Sequence, residues 1–167
     1  MVYTIRKTEP GDIQDILSIY QKARDFMAAS GNPSQWTGGY PGLPDLEQDM
    51  EQGASYVCIQ NDIVVATFYF KIGDEPGYHM IRNGHWINEE TYGVVHRIAA
   101  AFPGKGIASF CLDWCLKQWG NIRIDTHRDN LPMQSLLKKK GFSKCGIVLA
   151  GDGSERIAYQ KSLWPAD

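Results

Sequence analysis

Val94-Val95-His96-Arg97-Ile98-Ala99-Ala100-Ala101-Phe102-Pro103-Gly104-Lys105-Gly106-Ile107-Ala108-Ser109 reads as an apolar strand that passes through a glycine turn into a helix. Gly104 and Gly106 carry no β-carbon, so a ligand can approach their N–H groups closely. The helix that follows points its unpaired N–H groups and positive dipole end into the same turn. Such a backbone suits a phosphate or pyrophosphate. It is not a P-loop, in which lysine and a hydroxyl follow the last glycine, because Lys105 precedes Gly106. It is not the dinucleotide fingerprint either, since Ser109 stands where a third glycine or an alanine belongs.

Working outward, Tyr3-Thr4-Ile5-Arg6 reads as a strand, and Ile13, Ile16, Leu17 and Tyr20 recur at helical spacing in a helix running towards Ala29. Residues 31–42 are too rich in Gly and Pro for regular structure, and Pro44-Asp45 starts a short helix to about Gln52. The strands 56–60 and 63–70 flank Asn61-Asp62, a two-residue hairpin pattern. Residues 73–91 are irregular and polar, and a long loop of that kind often carries function. Beyond the turn come an amphipathic helix from Gly106 to Trp119, a strand at Ile122–Thr126 and a helix capped by Asn130 and closed by Gly141. Two last strands, 146–150 and 157–161, complete a β-α-α-β-β-β-α-β-α-β-β order. That order predicts a mixed α/β fold with helices on both faces of one sheet.

At 167 residues the chain suits a single domain, 1–167. A formal charge of −2 leaves no basic excess for nucleic acid, and no apolar run is long enough for a membrane span or a signal peptide. A cytoplasmic protein is expected. Cys58, Cys111, Cys115 and Cys145 lie in apolar segments without a C-x-x-C pair, so they read as reduced core residues, and no metal site is expected.

Pro103-Gly104-Lys105-Gly106-Ile107-Ala108 resembles the acyl-CoA turn of the GNAT (Gcn5-related) N-acetyltransferases, usually [R/Q]-x-x-G-x-[G/A], with Pro103 in place of Arg or Gln. Asn130 and Lys140-Gly141-Phe142 resemble the family's downstream helix, and the element order is similar over nearly the whole chain. The resemblance implies a mostly antiparallel sheet of six to seven strands, splayed centrally to bind acetyl-CoA. It implies direct acyl transfer to a primary amine of a small molecule; a protein or peptide acceptor, or a non-catalytic CoA-binding module, are the alternatives. It also places CoA against Ile98, Ala99 and Ala100, its pyrophosphate on Gly104, Lys105, Gly106, Ile107, Ala108 and Ser109, and Asn130 beside it. Proline offers no N–H, so at Pro103 any backbone contact to phosphate is lost.

His96 is the leading candidate for the general base, since an imidazole titrates near neutrality. Strict alternation puts it on the face of Ile98 and Ala100, with Arg97 on the other. His127, in the polar run Asp125–Asp129, is the alternative base. The family's usual acid, a tyrosine five residues before the Phe of the terminal Gly-Phe, is Leu137 here, which leaves Tyr92, Tyr40 or water as proton donor, or an unprotonated thiolate. Trp36 and Tyr40, with His85 and Trp86, are candidates for the wall of an amine pocket, because aromatic faces attract ammonium. Trp164 is a candidate contact in a homodimer.

Overall fold

A computed structural model describes residues 2–165. The elements run β1 (Thr4–Lys7), α1 (Ile13–Ala29), α2 (Leu43–Glu51), β2 (Ser55–Gln60), β3 (Ile63–Ile72), β4 (Gly93–Ala100), α3 (Ile107–Gln118), β5 (Asn121–Thr126), α4 (Leu131–Lys139), β6 (Ser143–Leu149) and β7 (Glu155–Ser162). The seven strands form one sheet in the order β1-β2-β3-β4-β5-β7-β6. Every register that is defined is antiparallel except β4 with β5, which is parallel and holds only Gly93↔Ile122 and Val94↔Arg123. Among the described residues no helix is long and apolar enough to cross a membrane. The contacts divide the chain into two compact units. One comprises the chain through Phe70 with His96–Leu112, and the other comprises Lys71–Val95 with the chain from Asp113 onward.

In the first unit, α1 buries Ile16, Ile19, Tyr20 and Ala23. This i, i+3, i+4, i+7 stripe is what a helix needs to cover one apolar face. Trp36, Leu46 of α2, Val57 and Val64 of the β2–β3 hairpin and Ala99 of β4 complete the buried cluster. Burying each large aliphatic side chain contributes up to about 1.5–3 kcal/mol. At the hairpin tip Asn61 and Asp62 take φ of 51° and 62°, the left-handed pair that matches strand twist in a two-residue turn. A register shift between Cys58 and Ile59 leaves Val65 outside the ladder, and the Val65 carbonyl accepts the Ala101 N–H at 2.8 Å.

In the second unit, β5 alternates two faces. Ile122 and Ile124 are buried on one, while Asn121, Arg123 and Asp125 occupy the other. That polar face is covered by the 73–92 segment, which contains one short helical turn at Pro76–Tyr78 and one bridge, Arg82↔Ile147. The Asn121 amide donates to Thr91 O at 3.2 Å, and the Tyr78 hydroxyl donates to Asp125 Oδ2 at 2.7 Å. Arg123 donates to Asn88 O at 2.7 Å, with its guanidinium 4.2 Å from the Trp86 ring centre and 4.0 Å from that of Tyr92. Gln160 on β7, opposite Arg123, accepts from the Ile87 N–H and donates to Asn121 Oδ1. The irregular segment is thus pinned to the sheet group by group.

All four cysteines are buried, and none is in a disulfide. Trp164 packs edge-on against Trp119 of its own chain, with ring centres 5.4 Å apart.

Candidate functional site

The turn after β4 is built by two residues in the left-handed region: Gly104 and Gly106 both have φ of 78°. A β-carbon on either would meet open space, so it is the backbone conformation that demands glycine, not a neighbouring atom. Residues 102–106 are exposed. Among the described residues, the amides of residues 104–109 donate to no protein acceptor, and the first helical pairing is Phe110 N–H to Gly106 O at 3.1 Å. The turn therefore presents a run of unsatisfied donors at the positive end of the twelve-residue α3. Those donors fit a pyrophosphate, and Lys105 adds an exposed cation beside them. Pro103 is exposed and adds no donor.

Within β4, strict alternation fails. Arg97 has φ of 51°, which for a non-glycine residue is uncommon and breaks the pleat. His96 and Arg97, expected on opposite faces, instead both lie against the Tyr69 ring. The His96 ring centre is 5.3 Å from it and the Arg97 guanidinium 5.1 Å from it. Arg97 is locked by a bidentate pair to Asp49 of α2, Nε to Oδ2 at 2.9 Å and Nη2 to Oδ1 at 2.7 Å. Its Nη1 donates to the Tyr40 hydroxyl at 3.0 Å. Burial works against the charge on Arg97, but Asp49 and Tyr40 outweigh it and raise its pKa. Burial lifts the Asp49 carboxyl above its ordinary value, opposed by the Arg97 guanidinium. Sequence reasoning singled out neither Arg97 nor Asp49; an arginine inside an otherwise apolar strand was the one available signal.

The remaining candidates divide between packing and surface. Trp36 is buried, edge-on to Tyr20 and Tyr40 at 6.0 and 6.4 Å, so it backs Tyr40. Tyr40 itself is 38% exposed. In the second unit His85 is exposed, whereas Trp86 is buried with its indole N–H on Tyr78 O at 3.0 Å. The Tyr92 hydroxyl accepts from Glu75 N at 2.9 Å and is 3.4 Å from Asp74 Oδ1. Burial raises the Tyr92 pKa. His127 Nδ1 accepts the Asp129 N–H at 3.0 Å, so that lone pair is already engaged, and burial lowers the ring's pKa. Asn130 caps α4 by accepting from Met133 N at 3.1 Å. Leu137 is fully buried. Among the described residues no group of three His, Cys, Asp or Glu side chains is placed to hold a metal ion.

No protein-family model matches the chain, and no curated protein matches it in sequence. Solved structures do match. A GNAT-family acetyltransferase from Streptococcus agalactiae is similar at a TM-score of 0.90 and 32% identity, over 98% of this chain and 96% of that one. A GNAT-family acetyltransferase from Listeria monocytogenes gives 0.70 at 19% identity, covering 96% and 95%. The NatC complex bound to a Gag peptide and CoA gives 0.57 at 13% identity, covering 98% and 100%. The last two likenesses concern the fold alone.

Proposed function

This chain belongs to the GNAT family of acetyltransferases, and we propose that it transfers an acetyl group from acetyl-CoA directly to the primary amine of a small molecule. One observation carries the donor half of this reading: the run of amides from Gly104 to Ser109 without a protein acceptor, at the start of α3. These amides and Lys105 hold the pyrophosphate. Ile98, Ala99 and Ala100 of β4 offer backbone groups to the pantetheine arm. When bound, acetyl-CoA supplies an acetyl group activated as a thioester.

The chain's own residues then orient the acceptor and manage its protons. An ammonium must lose a proton before its nitrogen can attack, and His96 takes that proton. The packing of its ring against Tyr69 supports this assignment, because it limits the orientations the imidazole can adopt. His127 is the weaker candidate because its Nδ1 already accepts a backbone N–H. Leu137 has no proton to give, and the departing thiolate is protonated by solvent. Tyr40, backed by Trp36, lines the acceptor side in the first unit.

Purified protein incubated with acetyl-CoA and a panel of polyamines, amino acids, aminoglycosides and peptides, with free thiol followed over time, tests the reading. Turnover with a small-molecule amine is the expected result. Turnover confined to peptides would replace the acceptor class, and CoA binding without turnover across the panel would reduce the protein to a binding module.

A further inference from the structure

We infer that the acceptor carries a carboxylate beside its amine, as an α-amino acid does, and that Tyr40 and Arg97 are the residues that select it; this rests on the acyl-transfer reading above. The argument is a count of donors and acceptors. A guanidinium has five N–H donors and no acceptor. Three are engaged in Arg97, two by Asp49 and one by the Tyr40 oxygen, which leaves two. Because the Tyr40 oxygen accepts from Arg97, the phenol hydrogen is not used there, and among the described residues it has no acceptor. Asp49 has both oxygens on Arg97 and its side chain is only 7% exposed, so its charge lies behind the guanidinium. Asp45, on the same helix, has an oxygen on the Gly42 N–H.

The exposed edge of this cluster thus presents donors and positive charge. A carboxylate matches it, through charge-assisted hydrogen bonds to a planar fork. A bare ammonium matches it poorly, since it would face the like charge of the guanidinium beside a Tyr40 oxygen that already accepts from Arg97. The left-handed backbone at Arg97 adds the second half. It brings His96 and Arg97, consecutive in sequence, against the one Tyr69 ring. An acceptor whose carboxylate and amine share one carbon can then meet both residues at once, with its carboxylate on Arg97 and Tyr40 and its ammonium beside His96.

Matched pairs that differ only by the carboxylate test this: phenylalanine against 2-phenylethylamine, leucine against 3-methylbutylamine, and lysine against cadaverine. With acetyl-CoA, the amino acid of at least one pair is expected to exceed its amine at least tenfold in kcat/KM. Tyr40→Phe is expected to narrow that ratio severalfold through KM rather than kcat. A readout that needs no turnover is calorimetric titration of the same amino acids into the protein saturated with CoA, where Tyr40→Phe should weaken binding. Amines turned over as well as or better than amino acids would overturn the proposal and leave acetyl transfer standing. Calorimetric binding of amino acids without turnover of any compound would uphold the acceptor class and overturn acetyl transfer. An absence of amino-acid binding in the calorimeter would overturn the proposal whatever the kinetics.

Discussion

Arg97 concentrates most of what single residues do here. Its φ of 51° costs backbone energy of order 1–3 kcal/mol, and the bidentate pair to Asp49 is what holds it in place. Its neighbour His96 is where chemistry is expected. Replacing His96 by alanine should lower kcat while leaving calorimetric CoA affinity unchanged, and the deficit should shrink as pH rises and more of the acceptor is already neutral; an unaltered kcat would place the base elsewhere. Asp12 shows the structural use of charge. Arg6 donates to both its oxygens at 2.7 and 3.0 Å, and the Glu9 N–H adds a third bond at 2.8 Å. The bond from Arg6 holds the Asp12 carboxyl below its ordinary pKa. A depressed carboxyl stabilises the fold above its unfolded value, about 3.9, and loses that contribution as pH falls through the folded value. Asp12→Asn should therefore cost about 1–2 kcal/mol at neutral pH. Its melting temperature should converge with that of the natural protein once pH drops below the ordinary carboxylate range, whereas a constant gap would mean the loss is one of shape.

At the scale of elements, regular pieces were legible because their signals are local. The stripe Ile16–Ile19–Tyr20–Ala23, the Asn61-Asp62 turn and the Asn130 cap each follow from residues within a turn or two of one another. Two things were not legible. The left-handed residue in β4 has no glycine to announce it, so strict alternation along the strand did not foresee that His96 and Arg97 would both meet the Tyr69 ring. Residues 73–91 read as an irregular, polar loop, and what anchors them was not legible because the partners on β5 and β7 lie some 30 to 70 residues away, as in Trp86 with Arg123 or Ile87 with Gln160. A close backbone crossing anchors that segment. A β-carbon on Gly84 would strike the Cys145 carbonyl, and one on Gly146 would strike that of Arg82, beside the Arg82↔Ile147 bridge. Neither obstacle is a flexible side chain, so Gly84→Ala should destabilise the protein by roughly 2 kcal/mol or more, in the range of overpacking. Hydrogen exchange should show the amides of Arg82 and Ile147, which bond each other's carbonyls at 2.8 Å, losing protection first. Undiminished protection there would mean that the crossing yields without cost.

For the molecule as a whole, the glycine turn is the most legible part of the proposed site, because its φ values and unpaired amides belong to the backbone and backbone conformation is what glycine spacing encodes. The proposed acceptor side draws on side chains from the α1–α2 connection, α2, β3 and β4, and only folding brings Tyr40, Asp49, Tyr69 and Arg97 together. This difference predicts how the protein should respond to its donor substrate. A ligand that binds only the native state stabilises it by about 2.7 kcal/mol at one hundred times its Kd. For a chain of this length each kcal/mol raises Tm by about 2–4 °C, so saturating CoA should raise Tm by about 5–11 °C. If the amides of residues 104–109 grip the pyrophosphate, the shift must depend on the two residues at φ of 78°. Gly104→Ala with Gly106→Ala should lower Tm without CoA, through the left-handed backbone cost, and should separately remove most of the CoA-induced increment. Tyr40→Phe, which touches only the acceptor side, should keep that increment. A double-alanine variant that still gains the full increment would locate the CoA contacts outside this turn.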